Sequence, residues 1–497
     1  MIRAALILSF SCLLAVSQCN AADYVVHTFK KIQLTDKFWA EGVAVADVNR
    51  DGHLDILSGP YWYEGPSFKR RHTVFPATQT FTLKREDGTE VQIEGYEGAQ
   101  GKHNAYSHVF LEFSYDFNQD GWPDILTVDV PTIASSPIVA SWYENPGRLG
   151  LQRDIGWKQH LAYDSMGNES PTLVDLFKNG HPLLLCTSGS LLGYVTPDQN
   201  HPFDKWSFHA ISYPLPMLQD MRKKFSKVFD GKPWPYSHGL GYGDVNADGR
   251  LDVLESEGWW EQPVSVVGDP VWTFHKWSFL EKRPETYDSL DMVTPEQVMP
   301  IMHSYEWPYG LSGAQIHVFD VNGDGLPDIV SSLNAHGHGL AWFEQLPKHN
   351  NSEEIQFKPH LIMGDTVKDN KYGVEFTQLH AVNIVDIDGD GLPDIVTGRR
   401  FWAHGPNGFD AESNGAAVLY WFKLVRGREG SSEFIPFQID ADSGVGTQFI
   451  TEDINGDGLP DIVVANKKGA FVFLQQAKKV SRVEWENAQP KDATAPY

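Results

Sequence analysis

Cysteine is scarce: only Cys12, Cys19 and Cys186 occur in 497 residues, the first two within the leading 22. That count excludes a disulfide framework, so something else must staple the fold. Positive charge is short as well. Lys and Arg number 40 against 65 Asp and Glu, a net charge of -25, which excludes nucleic acid and anionic membrane as partners. Long apolar runs are missing after Val16, so no membrane span is expected. The one such run, Ala4 to Val16, follows Arg3 and leads to small residues at Ala21 and Ala22, the pattern of a cleaved secretory signal over residues 1–22. The remainder, 23–497, is expected to be exported, secreted or periplasmic, and to bury one large core.

What the chain does have is a repeat. "DVNGDGLPDIV" begins at Asp320, and close copies begin at Asp47, Asp116, Asp244, Asp386 and Asp453. A degenerate copy, DLFKNGHPLLL, begins at Asp175, and with it successive copies lie 59 to 76 residues apart. That period suits a four-stranded unit with generous loops. Oxygen-bearing side chains fall at positions 1, 3, 5 and 9, and a Gly at position 6 permits the sharp turn that folds them around one point. Hard oxygen ligands in such a loop suit Ca2+. The expected ligands are Asp47, Asn49, Asp51 and Asp55; Asp116, Asn118, Asp120 and Asp124; Asp244, Asn246, Asp248 and Asp252; Asp320, Asn322, Asp324 and Asp328; Asp386, Asp388, Asp390 and Asp394; and Asp453, Asn455, Asp457 and Asp461. In the degenerate copy Phe177, Asn179 and Leu183 replace needed ligands, so that loop is expected to hold no ion. An EF-hand is excluded, because position 12 lacks Glu in every copy but one, Glu255, and because the β-branched "DIV" continues as strand.

These loops, followed by "IV", resemble the FG-GAP/VCBS repeats of seven-bladed β-propellers, such as integrin α-subunit heads and many exported bacterial proteins. The resemblance implies an all-β, seven-bladed propeller over 23–497, with about six calcium loops between the first two strands of the blades. It does not fix function, since such propellers include adhesion modules and enzymes.

In each repeat a strand ends at the first Asp and a second starts at "DIL/DIV" or its equivalent, and in five of them a third carries an aromatic cluster such as WYENPG or WFEQLP, while five fourth strands carry a His, as in WKQHLAY. Those Trp and His residues are expected to pack between sheets. The N-terminal VVHTFKKIQL has the fourth-strand pattern and is expected to complete the last sheet. Six residues before the first Asp stand Glu41, Glu169, His238 and His380, and two extra residues bring His108 into the same register. On strands lining an axis, these would converge on one point.

Imidazoles and carboxylates gathered this way suit a transition metal such as Zn2+, with His108, His238 and His380 as ligands and Glu41 or Glu169 as acid and base. Arg399 and Arg400 could hold a carboxylate or enolate oxygen, and His336, His338 and His404 could contact substrate. The arrangement resembles the propeller part of aldos-2-ulose dehydratases and, less closely, propeller polysaccharide lyases. Both imply removal of a proton α to a carbonyl or carboxyl group. The expectation is a carbohydrate-directed lyase or dehydratase; the alternative is a noncatalytic propeller binding a glycan or protein.

Overall fold

The computed structural model describes residues 24–77, 80–84, 90–94, 109–129, 138–214, 238–279, 313–348, 354–403 and 410–493. Alternating β-branched and aromatic residues between Asp- and Gly-rich turns make strand after strand. Each repeat is the turn of a hairpin. One strand stops just before its opening Asp, as in Ala44–Ala46, Leu111–Tyr115, Leu240–Gly243, Gln315–Phe319, Val382–Val385 and Ile450–Glu452. The next starts on the Asp at position nine: Asp55–Ser58, Asp124–Val128, Asp252–Glu255, Asp328–Ser332, Asp394–Gly398 and Asp461–Asn466. Third and fourth strands continue antiparallel, as Tyr61–Tyr63 and Arg71–Thr73 do in the first sheet. The chain is all-β. Among the described residues α-helix is confined to Gly147–Gln152 and Arg482–Ala488, and no helix is long and apolar enough to cross a membrane. The proposed signal segment lies outside the described residues.

The position-six glycine is required at every turn, including the degenerate one: Gly52, Gly121, Gly180, Gly249, Gly325, Gly391 and Gly458 all have φ between +81 and +91°. First strands of neighbouring repeats can lie side by side. Leu240–Gly243 pairs in parallel with Gln315–Phe319, and Gly241 permits it, since a Cβ there would lie 2.2 Å from the Ile316 carbonyl oxygen.

Val25–Thr35 pairs antiparallel with Gly469–Lys479, so the two ends of the chain share one four-stranded sheet. The N-terminal strand thus takes the place its fourth-strand pattern predicts. Apolar clusters sit between sheets rather than within one; Val43, Ile56 and Tyr63 of the first sheet pack on Ile454, Val463 and Val472 of the last.

The aromatic motifs are structural in detail. Trp62, Trp142, Trp259 and Trp342 are buried, and His72, His160, His275 and His360 stack on them with ring centroids 4.0 to 4.3 Å apart. Each of those His residues is held at 2.7 to 2.9 Å by the Glu after the aromatic pair, Glu64, Glu144, Glu261 or Glu344. The next residue, and Gln475 at the equivalent place after Leu474, is a latch to the preceding repeat. Asn145 Nδ2 donates to the Val48 carbonyl, Gln262 Nε2 to Leu176, Gln345 Nε2 to Val245 and Gln475 Nε2 to Ile387. Gln345 also donates to Pro327 O at 2.8 Å. Replacing Gln345 by Leu leaves one buried and one partly buried carbonyl without that donor and is expected to cost about 2 kcal/mol in denaturant unfolding. An unchanged midpoint would show that the latch carries no stability.

Candidate functional site

The loops that enter the first strands carry the site. Glu169 precedes Thr172–Val174, His238 precedes Leu240–Gly243, and His380 precedes Val382–Val385. His336 arrives from elsewhere, on the loop between Asp328–Ser332 and Leu340–Gln345. Asn334 Oδ1 accepts the His336 amide at 2.9 Å, and Gly337 O accepts the Gln378 amide at 2.8 Å, which ties this loop to the one bearing His380. Gln378 O in turn accepts the amides of both His380 and Arg400 at 2.9 Å.

Glu169, His238, His336 and His380 each offer one ligand atom within 4.8 Å of the others. The three imidazole centroids are 4.4 to 5.3 Å apart, and His238 Nε2 lies 3.3 Å from Glu169 Oε2. His238 and His380 are 7% and 2% exposed, yet neither ring nitrogen of either has a hydrogen-bond partner. Buried polar atoms left this way cost stability unless a ligand satisfies them. Burial, then Arg400, His336 and His238, holds His380 well below the ordinary histidine range, so its imidazole is neutral and ready to ligate. Burial pushes the Glu169 carboxyl up, but His238, His336 and Arg400 together bring it down to about 2, so it is ionised. Three neutral-capable imidazoles and one carboxylate fit a divalent transition metal.

The sequence expectation is redrawn in several places. Glu169 and His336 both lie with His238 and His380, their ligand atoms within 4.8 Å of one another. Glu41 stands apart: its Oε2 accepts from Arg400 Nε at 2.5 Å and its Oε1 lies 3.6 Å from Lys467 Nζ, all three side chains being buried. Lys467 also donates to Trp402 O and Ala403 O, and burial, partly countered by Glu41, lowers its ammonium to about 8. Arg399 and Arg400 do not act as a pair. Successive side chains of an extended chain diverge, so Arg400 goes to Glu41 while Arg399 turns to Thr377 Oγ1 and Glu412. His338 leaves the cluster for Glu375, at 2.6 Å. His108 and His404 lie outside the described residues. Lys467 and Asp410, whose Oδ1 is 3.0 Å from His336 Nδ1, escaped the sequence reading because neither falls in a repeat register.

The repeat loops have their own geometry. In the first, Asp47 accepts the amides of Asp51 and Gly52, each at 2.9 Å, and Asn49 Oδ1 accepts that of Asp51. The copies at Asp116 and Asp244 repeat this scheme, Asp320 instead accepts from Gly323 and Gly325, Asp386 accepts from Gly389, Asp390 and Gly391, and the degenerate loop folds likewise, with Asp175 accepting from Asn179 and Gly180. Position nine has a second task beyond the ligand role expected of it. Asp55 accepts from Val48 N and Gly65 N, Asp124 from Phe117 N and Asn145 N, and Asp328 from Val321 N and Gln345 N, so each buried carboxylate pins the turn to the end of the third strand. Each oxygen keeps a lone pair for a cation. In the sixth copy Asp386, Asp388 and Asp394 bring carboxylate oxygens within 4.8 Å of one another, and Asp388 Oδ1 is buried without a hydrogen-bond partner, a donor set suited to a hard cation. Lys423 Nζ pairs there with Asp388 and, at 2.6 Å, with Asp390.

No family model and no curated protein matches the chain. A solved structure of an Agrocybe aegerita lectin, described as the basis of specific recognition of non-reducing terminal N-acetylglucosamine, is similar at 13% identity, with 90% of this chain and 85% of that chain covered and a TM-score of 0.38. A superposition that loose fixes neither the chain's ligand nor its chemistry.

Proposed function

We propose that this chain is an exported seven-bladed β-propeller of the FG-GAP/VCBS kind, with calcium in six of its loops and a carbohydrate-directed carbon–oxygen lyase centre at its axis. The wheel is supported by the parallel pairing of neighbouring first strands and by the sheet that joins the chain's two ends. The single observation carrying the chemistry is the convergence of Glu169, His238, His336 and His380, with both ring nitrogens of the buried His380 lacking a hydrogen-bond partner.

A divalent transition metal such as Zn2+, held by these four side chains, would supply positive charge to the carbonyl or carboxyl oxygen of a keto-sugar or uronide. Arg400, anchored on Glu41, adds a fixed cation on the same side, as its influence on both His380 and Glu169 indicates. Glu169, ionised and among the imidazoles, is a ligand rather than the base. Glu41 Oε1, buried and without a hydrogen-bond partner, is the group assigned to take the proton α to the carbonyl. As that C–H pair becomes the C=C bond, the C–O bond at the β carbon breaks and its oxygen leaves, protonated, as water or an alcohol. The proton taken up by Glu41 is the one returned to that oxygen, so the step balances, while Lys467 Nζ, 3.6 Å from Glu41 Oε1, holds the carboxylate in place.

The test is incubation with keto-sugars and with uronides while following ultraviolet absorbance of an unsaturated product. Absorbance should grow with the parent chain and stay flat with Glu41→Gln. No product from any substrate would leave the second reading ahead, a noncatalytic propeller that binds glycan or protein. One observation favours that reading: four protein ligands close a tetrahedral zinc site, as structural sites do.

A further inference from the structure

Asp410 is buried beside the imidazole cluster, with only 2% of its side chain exposed, and its Oδ1 lies 3.0 Å from His336 Nδ1. The segment carrying it is clamped in place. Ala411 O accepts from Thr377 Oγ1 at 2.9 Å and from Gln378 Nε2 at 3.2 Å, which fixes the segment to the loop that presents His380. Arg399 holds the next residue twice, donating from Nη1 to Glu412 O and from Nη2 to Glu412 Oε2, both at 2.8 Å. A carboxylate whose chain is fixed at the two residues that follow it, and which lies against one ring nitrogen of a candidate ligand, is placed to set that ligand's tautomer and raise its basicity.

Resting on the metal-centre reading above, we infer that Asp410 is a positioning residue for the axial metal. It accepts the Nδ1–H hydrogen bond of His336, leaves Nε2 for the ion, and is located by Arg399 through the neighbouring Glu412. The buried Arg399 thereby acquires a role the repeat pattern gives no hint of: it acts on the centre through Asp410, two removes from the metal.

The experiment uses the full exported chain, stripped of transition metal with calcium kept present, and titrated with Zn2+ against a competing chelating dye. Asp410→Asn keeps an acceptor oxygen for the Nδ1 proton but loses the charge, and is expected to weaken zinc binding about 10-fold; Asp410→Ala loses both and should approach about 100-fold. The melting temperature of zinc-free Asp410→Asn should match that of the zinc-free parent, which separates positioning from a general packing role. Parent-like affinity in both variants would overturn the inference while leaving the centre standing, and so would a zinc-free melting point that falls in step with affinity. Failure of the parent itself to take up zinc would instead remove the centre, and with it the role of Asp410.

Discussion

Chains carrying His238→Ala or His380→Ala should emerge from purification with calcium intact and the transition metal gone. The parent is expected to carry about one equivalent, since one cluster of four ligands is available and a four-ligand site binds one ion. Each variant removes a buried imidazole whose neighbours, Glu169 and His336, cannot close the gap without moving their loops. The stability pattern should be distinctive as well. Within the protein the ring nitrogens of the buried His380 find no hydrogen-bond partner, and His238 Nε2 has Glu169 at 3.3 Å, so deleting either imidazole without metal present removes a poorly satisfied group while opening a cavity. The two terms are each about 1–3 kcal/mol and of opposite sign, and the zinc-free variants should melt near the zinc-free parent. Zinc should then raise the melting temperature of the parent alone. Metal analysis and paired melts read both; unchanged metal content in the two variants would refute the centre.

Removal of calcium should have the larger effect on the fold. If each loop binds with a dissociation constant near 10⁻⁴ M, millimolar calcium contributes about 1.4 kcal/mol per site and six sites on the order of 8 kcal/mol. That matches the whole net stability of many domains. The structure explains why the loss would be graded rather than complete. Position nine pins each turn through two backbone amides with or without an ion, whereas the outer carboxylates at positions one and five are left facing one another once the cation goes. The loop beginning at Asp386 should fill last, because Lys423 already lies against Asp388 and Asp390. Melting in a calcium chelator, followed by calcium titration, tests this: a melting temperature indifferent to the chelator would show that the loops are ordinary turns.

How far the chain was readable follows from how each feature is made. Strand limits around every repeat, the packing of Trp142 and Trp259, and the pairing of Val25–Thr35 with the C-terminal strand came from local alternation and turn chemistry, which act within about ten residues. The Asn or Gln latch, by contrast, stood in plain view in WYENPG and WFEQLP. Its meaning was hidden because its partner carbonyl belongs to another repeat, 97 residues away for Asn145 and 100 for Gln345.

For the site the division is sharper. Counting back from each Asp located Glu169, His238 and His380, because the residues entering equivalent strands inherit equivalent positions. The same count placed Glu41 with them, and could not foresee that Arg400 and Lys467 would claim it. His336, Asp410 and Lys467 reach the centre on connections of unequal length, where no periodicity survives. Repetition writes the frame into the order of the amino acids, since every unit solves one local problem of turn and strand. The centre depends instead on which irregular loops meet, and long-range packing settles that meeting.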